Sequence, residues 1–175
     1  SKYPEMTSHA DQFDTDLTAV NCLNGLVDLR TKKLKEHSSN HLVTKRAAIP
    51  YDESARCPQF FEFLNEIFSG DKELIRWIQL ALGYTITGLS TEQTFFIAYG
   101  TGANGKSTLF ELLLEILGDY GRSAEFETFL SQERSNIRVM ESLAKLQGIR
   151  FALASETDSA RRFSEALVKK ITGND

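Results

Sequence analysis

The chain has 175 residues, 41% of them hydrophobic and 25% charged, the balance of a globular protein with room for one sizeable core. Lysine and arginine number 20 against 24 acidic residues, a net charge of −4, so a nucleic-acid partner has to be met by a local basic surface and not by the overall field. No apolar run is long enough to cross a bilayer, and Ser1-Lys2-Tyr3-Pro4-Glu5 has no signal-peptide pattern. The two cysteines, Cys22 and Cys57, lack metal-ligand spacing and read as free thiols of a cytoplasmic protein, Cys22 packed in a strand. His37 and His41 lie in a loop-like stretch and make a poor metal pair.

Residues 1–17 are polar and mixed, and read as a poorly ordered lead-in. Serine at the first position suits a segment of a longer chain. Ala19–Leu23 and Leu26–Leu29 flank Asn24-Gly25, the strongest short hairpin signal. Thr31-Lys32-Lys33 reads as a second turn and Leu42–Lys45 as a further strand, which together make an antiparallel meander. Pro58 suits the first turn of a helix. After it, Phe60, Phe63, Leu64, Ile67 and Phe68 fall on one helical face. Ser69-Gly70 ends that helix. Asp71 caps a second one, which carries Leu74, Ile75, Trp77, Ile78 and Leu82 up to Gly83. The pair reads as a helical hairpin.

Thr94–Tyr99 is an apolar run with the pattern of a strand. It leads into Gly100-Thr101-Gly102-Ala103-Asn104-Gly105-Lys106-Ser107-Thr108, a full match to the phosphate-binding pattern Gly, four residues, Gly, Lys, Ser or Thr. Gly100, Gly102 and Gly105 permit positive φ, so successive N–H groups can point into one concavity. Asn104 is the non-glycine residue best suited to a left-handed position. Lys106 is placed to reach β- and γ-phosphates, and the Ser107 hydroxyl to hold Mg²⁺. The helix starting near Lys106 contributes its positive end. Leu109 to Leu117 leave that helix almost no polar face, as for one buried on a sheet, and Gly118 closes it.

Arg122–Phe126 reads as a short strand. Residues from Asn136 to Leu146 read as a helix with Val139, Met140, Leu143 and Leu146 inward. Arg150–Ser155 reads as a buried strand, the expected parallel partner of Thr94–Tyr99 across a right-handed crossover. Phe163, Leu167 and Ile171 mark a last helix. Hydrolysis needs a group that positions water at the end of a neighbouring strand. Glu156, directly after Arg150–Ser155, is the candidate, and Asp158 could assist Mg²⁺ through water. The usual acid just before such a glutamate is replaced here by Ser155.

With these residues in view, the sequence resembles the helicase portion of phage and plasmid primase-helicases, within the superfamily 3 helicases and related to the poxvirus-type nucleoside triphosphatase-primase. The likeness runs from about Asp14 through Asn24–Thr31, Tyr51-Asp52, Cys57-Pro58, Leu82-Gly83-Tyr84, the phosphate loop, Gly148–Arg150 with Ala154–Glu156, and Lys169–Asp175. It implies an α/β fold: a phosphate-loop NTPase core of AAA+ type with a parallel sheet, over 91–175 and incomplete at its C-terminus. A small α+β accessory domain would precede it over 18–90. ATP and Mg²⁺ would be held by Gly100 to Thr108, and Glu156 would polarise the attacking water. Lys169 and Lys170 would face phosphates or DNA, or simply solvent. Partners would be single-stranded DNA, further copies in a hexameric ring, and a primase, in the cytoplasm of a bacterial host.

The family's sensor residue, pore loops and arginine finger would follow Asp175. The chain alone is therefore expected to bind nucleotide weakly, hydrolyse it slowly and not unwind DNA. Two other readings remain open. One is a phosphate-loop kinase for a small molecule or nucleoside, with Arg161-Arg162 as a thin lid. The other is a non-catalytic module docking DNA or a primase through Lys32, Lys33, Lys35, Lys45 and Arg46.

Overall fold

A computed structural model describes residues 9–100, 102–130, 136–155 and 163–173. Three antiparallel strands come first: β1 (Ala19–Cys22), β2 (Gly25–Asp28) and β3 (Lys33–Lys35). Cys22 pairs with Gly25, so the two-residue loop is Leu23-Asn24 and Gly25 already belongs to β2, one residue earlier than the Asn-Gly motif suggests. The Asn24 side chain leaves the hairpin to clamp Tyr51, donating to its carbonyl (2.9 Å) and accepting from its N–H (2.8 Å).

The third strand is not Leu42–Lys45 but Lys33–Lys35. Leu42 is left-handed (φ 48°), and the chain beyond it is held to β1 by other means. The Asn21 amide donates to the Lys45 carbonyl (3.0 Å) and the Ala47 N–H donates to the Asn21 carbonyl (2.8 Å). A side chain thus takes a carbonyl that a ladder would have used.

Helix α1 (Pro58–Ile67) starts at its proline and buries Leu64 completely. Left-handed Ser69 and Gly70 stop it. Helix α2 (Lys72–Ile86) is capped by Asp71, whose carboxylate accepts from the Glu73 and Leu74 N–H groups at 3.0 Å each. It runs three residues past Gly83, because an internal glycine weakens a helix without ending it, and Ile86 packs on the core.

Helix α3 (Lys106–Leu117) buries Leu109, Leu113 and Leu117, one stripe at four-residue spacing. Gly118 breaks it. Strand β4 (Gly121–Ala124) follows, then α4 (Asn136–Ala144), β5 (Phe151–Ala154) and α5 (Glu165–Thr172). On α4 the expected inward Met140 is instead 68% exposed, while Val139 and Leu143 are half-buried.

The parallel pairing is between β4 and β5, from Gly121 with Phe151 to Ala124 with Ala154. The expected strand over Thr94–Tyr99 does not form, and β5 therefore has a different partner from the one anticipated. An apolar run becomes a strand only where an edge accepts its N–H and C=O groups. Among the described residues none does so here. Phe96 instead meets Trp77 edge-on (ring centroids 5.7 Å apart), Phe95 leans on Phe163 (6.1 Å), and Tyr99 is 89% exposed.

One apolar cluster joins the meander to the second half of the chain. Val20, Cys22, Val27 and Ala47 pack with Leu117 and Tyr120, flanked by Ile86 and Phe151.

Candidate phosphate-binding site

The loop between Tyr99 and Lys106 is tightly turned. Gly100 (φ 154°), Ala103 (φ 56°) and Gly105 (φ 78°) carry the positive backbone angles. The left-handed position expected of Asn104 falls on Ala103. Asn104 is freed for another task. Its Oδ1 accepts from the Lys106 Nζ at 2.6 Å, while the same ammonium donates to the Gly100 carbonyl at 3.2 Å. A Cβ at Gly100 would fall onto the Asn104 amide, so glycine is needed to seat this side chain.

Gly105 is the N-cap of α3. The helix start receives no side-chain cap and has no acid in its first turn. A helix N-terminus leaves its first N–H groups unsatisfied, and a neighbouring ammonium makes the place more attractive still to an anion. The site is fixed from the other side by α1. A Cβ at Gly105 would run into Ile67 Cγ2 and come within 3.2 Å of Phe63 Cε2.

Of the residues proposed for phosphate and Mg²⁺, Gly100 and Gly102 to Thr108 sit on one loop and one helical turn, with Ser107 next to Lys106. Thr101 lies outside the described residues, as do Glu156, Asp158, Arg161 and Arg162. The strand meant to present Glu156 does form: β5 ends at Ala154 and Ser155 follows. Lys169 is exposed on α5.

The basic patch of the meander is partly neutralised. Lys35 Nζ lies 3.5 Å from Asp28, and Lys32 and Lys33 share a shallow groove with Asp52, Glu53, Asn24 and Tyr51. His37 contacts the Cys22 carbonyl through Nε2 at 3.0 Å. Burial pushes the Cys22 thiol pKa up.

Sequence reasoning assigned no role to two charged groups that hold the fold together away from this loop. Asp28 is buried and accepts from the Arg30 side chain and from the N–H groups of Arg30 and Thr31, which hold its carboxyl down at about 2. Arg150 donates to the carbonyls of Ile86 (2.9 Å) and Ala19 (2.8 Å) and lies over the Tyr120 ring. The trace of Arg150 in the sequence is a charge set beside an apolar run, and that of Asp28 is an aspartate opening a turn.

Comparison with known proteins adds to this geometry. Residues 2–69 match a family model described as "D5 N terminal like". A putative helicase of Acanthamoeba polyphaga mimivirus is 26% identical over 155 residues, which cover 87% of this chain and 16% of that protein. The two matches support a relation to helicases of the primase-helicase kind. The chain spans about a sixth of the length of that relative. Among the described residues no helix is long and apolar enough to cross a membrane.

Proposed function

We propose that this chain is the nucleotide-binding segment of a replicative DNA helicase of the primase-helicase type, within superfamily 3. The carrying observation is the Lys106 ammonium, poised over a left-handed loop at an uncapped helix start. A triphosphate would be gripped by the main-chain N–H groups of Gly100 to Thr108 and by Lys106. The donor set fits Mg·ATP: one hydroxyl for the metal at Ser107, the Lys106 ammonium for the phosphates, and the main-chain N–H groups of an uncapped helix start. Bound Mg²⁺ would neutralise charge on the β- and γ-oxygens. Glu156, after β5, is the residue assigned to orient water, with Asp158 assisting at the metal.

Residues 18–90 are proposed as an accessory unit and 91–175 as part of an AAA+-type phosphate-loop core. The matched family segment, which ends at residue 69, supports the first. In the parent protein the chain would work in a hexameric ring on single-stranded DNA, beside a primase. Among the described residues, neither the kinase reading nor the docking-module reading draws a specific observation in its favour. The groove at Lys32 and Lys33 carries acids beside its lysines, a poor surface for a polyanion.

The test is titration of the chain with Mg·ATP, by calorimetry or with a fluorescent analogue, repeated on Lys106→Ala. Binding that falls at least about tenfold in the variant is expected, the loss of a charge-assisted contact. Equal binding by both proteins, or none by either, would remove the nucleotide reading. In a longer protein, phosphate release stimulated by single-stranded DNA, with no phosphorylated acceptor, separates helicase from kinase.

A further inference from the structure

The Lys106 side chain does not wait in solvent for its ligand. Two of its three N–H donors are already engaged within the loop, on Asn104 Oδ1 at 2.6 Å and on the Gly100 carbonyl at 3.2 Å. We propose that Asn104 parks Lys106 across the mouth of the loop, and that a polyphosphate binds by taking the ammonium away from it. This rests on the nucleotide reading given above and assigns a role to a residue which that reading leaves as mere turn geometry.

The chemistry of the asparagine suits the task. A neutral amide oxygen holds an ammonium less strongly than a phosphate oxygen does, because a hydrogen bond with both partners charged is roughly twice as strong. The exchange therefore runs toward the ligand, but only for a ligand with enough negative charge to win it. An aspartate in the same place would turn the hydrogen bond into an ion pair and put a negative charge in the nest. An alanine would leave the lysine held by the Gly100 carbonyl alone. Glycine at position 100 is part of the device, since any Cβ there would displace the Asn104 amide. Asn104 thus lowers the affinity of any phosphate ligand that draws Lys106 away by the strength of this one contact. It is a positioning residue acting through Lys106.

The test is a double-substitution cycle at positions 104 and 106, read as the affinity for Mg·ATP and for inorganic pyrophosphate. Thermal melting of each variant confirms that it is folded. Asn104→Ala is expected to bind both ligands about three- to tenfold more tightly than the parent, the release of one hydrogen bond to a charged group. Asn104→Asp is expected to bind at least about tenfold more weakly. In a Lys106→Ala background, Asn104→Ala should change nothing beyond about twofold. Asn104→Ser, too short to reach the ammonium, carries the same expectation as alanine if the alanine variant fails to fold.

Unchanged or weaker binding by Asn104→Ala would overturn the parking role. So would an effect that persists without the lysine, because Asn104 would then be touching the ligand or shaping the loop by itself. Loss of binding in Lys106→Ala with a flat response at position 104 ends this inference alone. A parent chain that binds neither ligand ends the nucleotide reading with it.

Discussion

The Arg150 guanidinium lies over the Tyr120 ring, 4.4 Å from its centroid, while the Arg150 N–H donates to the Tyr120 carbonyl at 2.8 Å. The same guanidinium reaches the carbonyls of Ala19, in β1, and Ile86, at the end of α2. The Tyr120 hydroxyl in turn accepts from the Asn21 N–H at 3.1 Å and donates to the Lys45 carbonyl at 3.2 Å. Burial lowers the Arg150 pKa and raises that of Tyr120. Arginine, with its fork of fixed donors, still keeps its charge and can serve two carbonyls at once. The residue just before β5 is thereby tied to the meander and to the helical hairpin.

Replacing Arg150 with methionine keeps much of the apolar stem but strands two acceptors. The expected cost is about 2–4 kcal/mol, read as a lower urea midpoint with an unchanged slope. Lysine, which lacks the fork, should recover less than half of the loss. A methionine variant as stable as the parent would show that the two carbonyls are served by water.

Some of this architecture is legible in the chain. Pro58 and Asp71 announce helix starts because their roles are local: a missing N–H that costs nothing in the first turn, and a carboxylate that fills orphan donors. The loop motif is legible for the same reason. Thr94–Tyr99 is not, since strand formation depends on a distant edge. Nor is Met140, whose helical spacing matches that of its half-buried neighbours although the face it occupies turns outward. Arg150 is illegible because its partners, the carbonyls of Ala19 and Ile86, are brought near only by the fold, whereas Asp28 closes a local turn with Arg30 and Thr31 that its position after β2 could have shown.

Asp28 gives the fold an acid sensitivity. Its carboxyl is held at about 2, chiefly by the Arg30 side chain and then by the N–H groups of Arg30 and Thr31. A carboxylate with a depressed folded pKa adds stability above its unfolded value of about 3.9, and loses it as pH falls through the folded one. Stability should therefore decline between about pH 4 and pH 2. Asp28→Asn should be less stable at neutral pH and should flatten that part of the profile. Urea midpoints of both proteins across this range check it, and parallel curves would contradict it.

Among the described residues, Leu64 is the one large side chain with no exposed surface. Truncating it to alanine leaves a cavity in α1, with an expected cost of about 2–5 kcal/mol. Because Phe63 and Ile67 of the same helix abut Gly105, nucleotide affinity should fall as well. The check is to measure it at a temperature where the variant is still folded. A stability loss with affinity unchanged would separate α1 from the loop.

The contact between α1 and Gly105 has a sharper test. Alanine at position 105 faces two penalties: a left-handed φ of 78° and a Cβ driven against Ile67 and Phe63. Together they should cost about 1–4 kcal/mol. Ile67→Ala alone should cost about 1–2 kcal/mol for the packing it loses. In the double variant most of the steric part of the Gly105→Ala penalty disappears, because the Ile67 methyl is gone and only the looser approach to Phe63 remains, while the backbone part stays. The two losses should therefore sum to more than the double variant shows, by about 1 kcal/mol. Nucleotide affinity should not recover with it, since the strained φ still distorts the N–H groups aimed at phosphate. Simple additivity in stability would mean that α1 only rests beside the loop, and full recovery of affinity would mean that the helix, and not the glycine's backbone angle, shapes the nest.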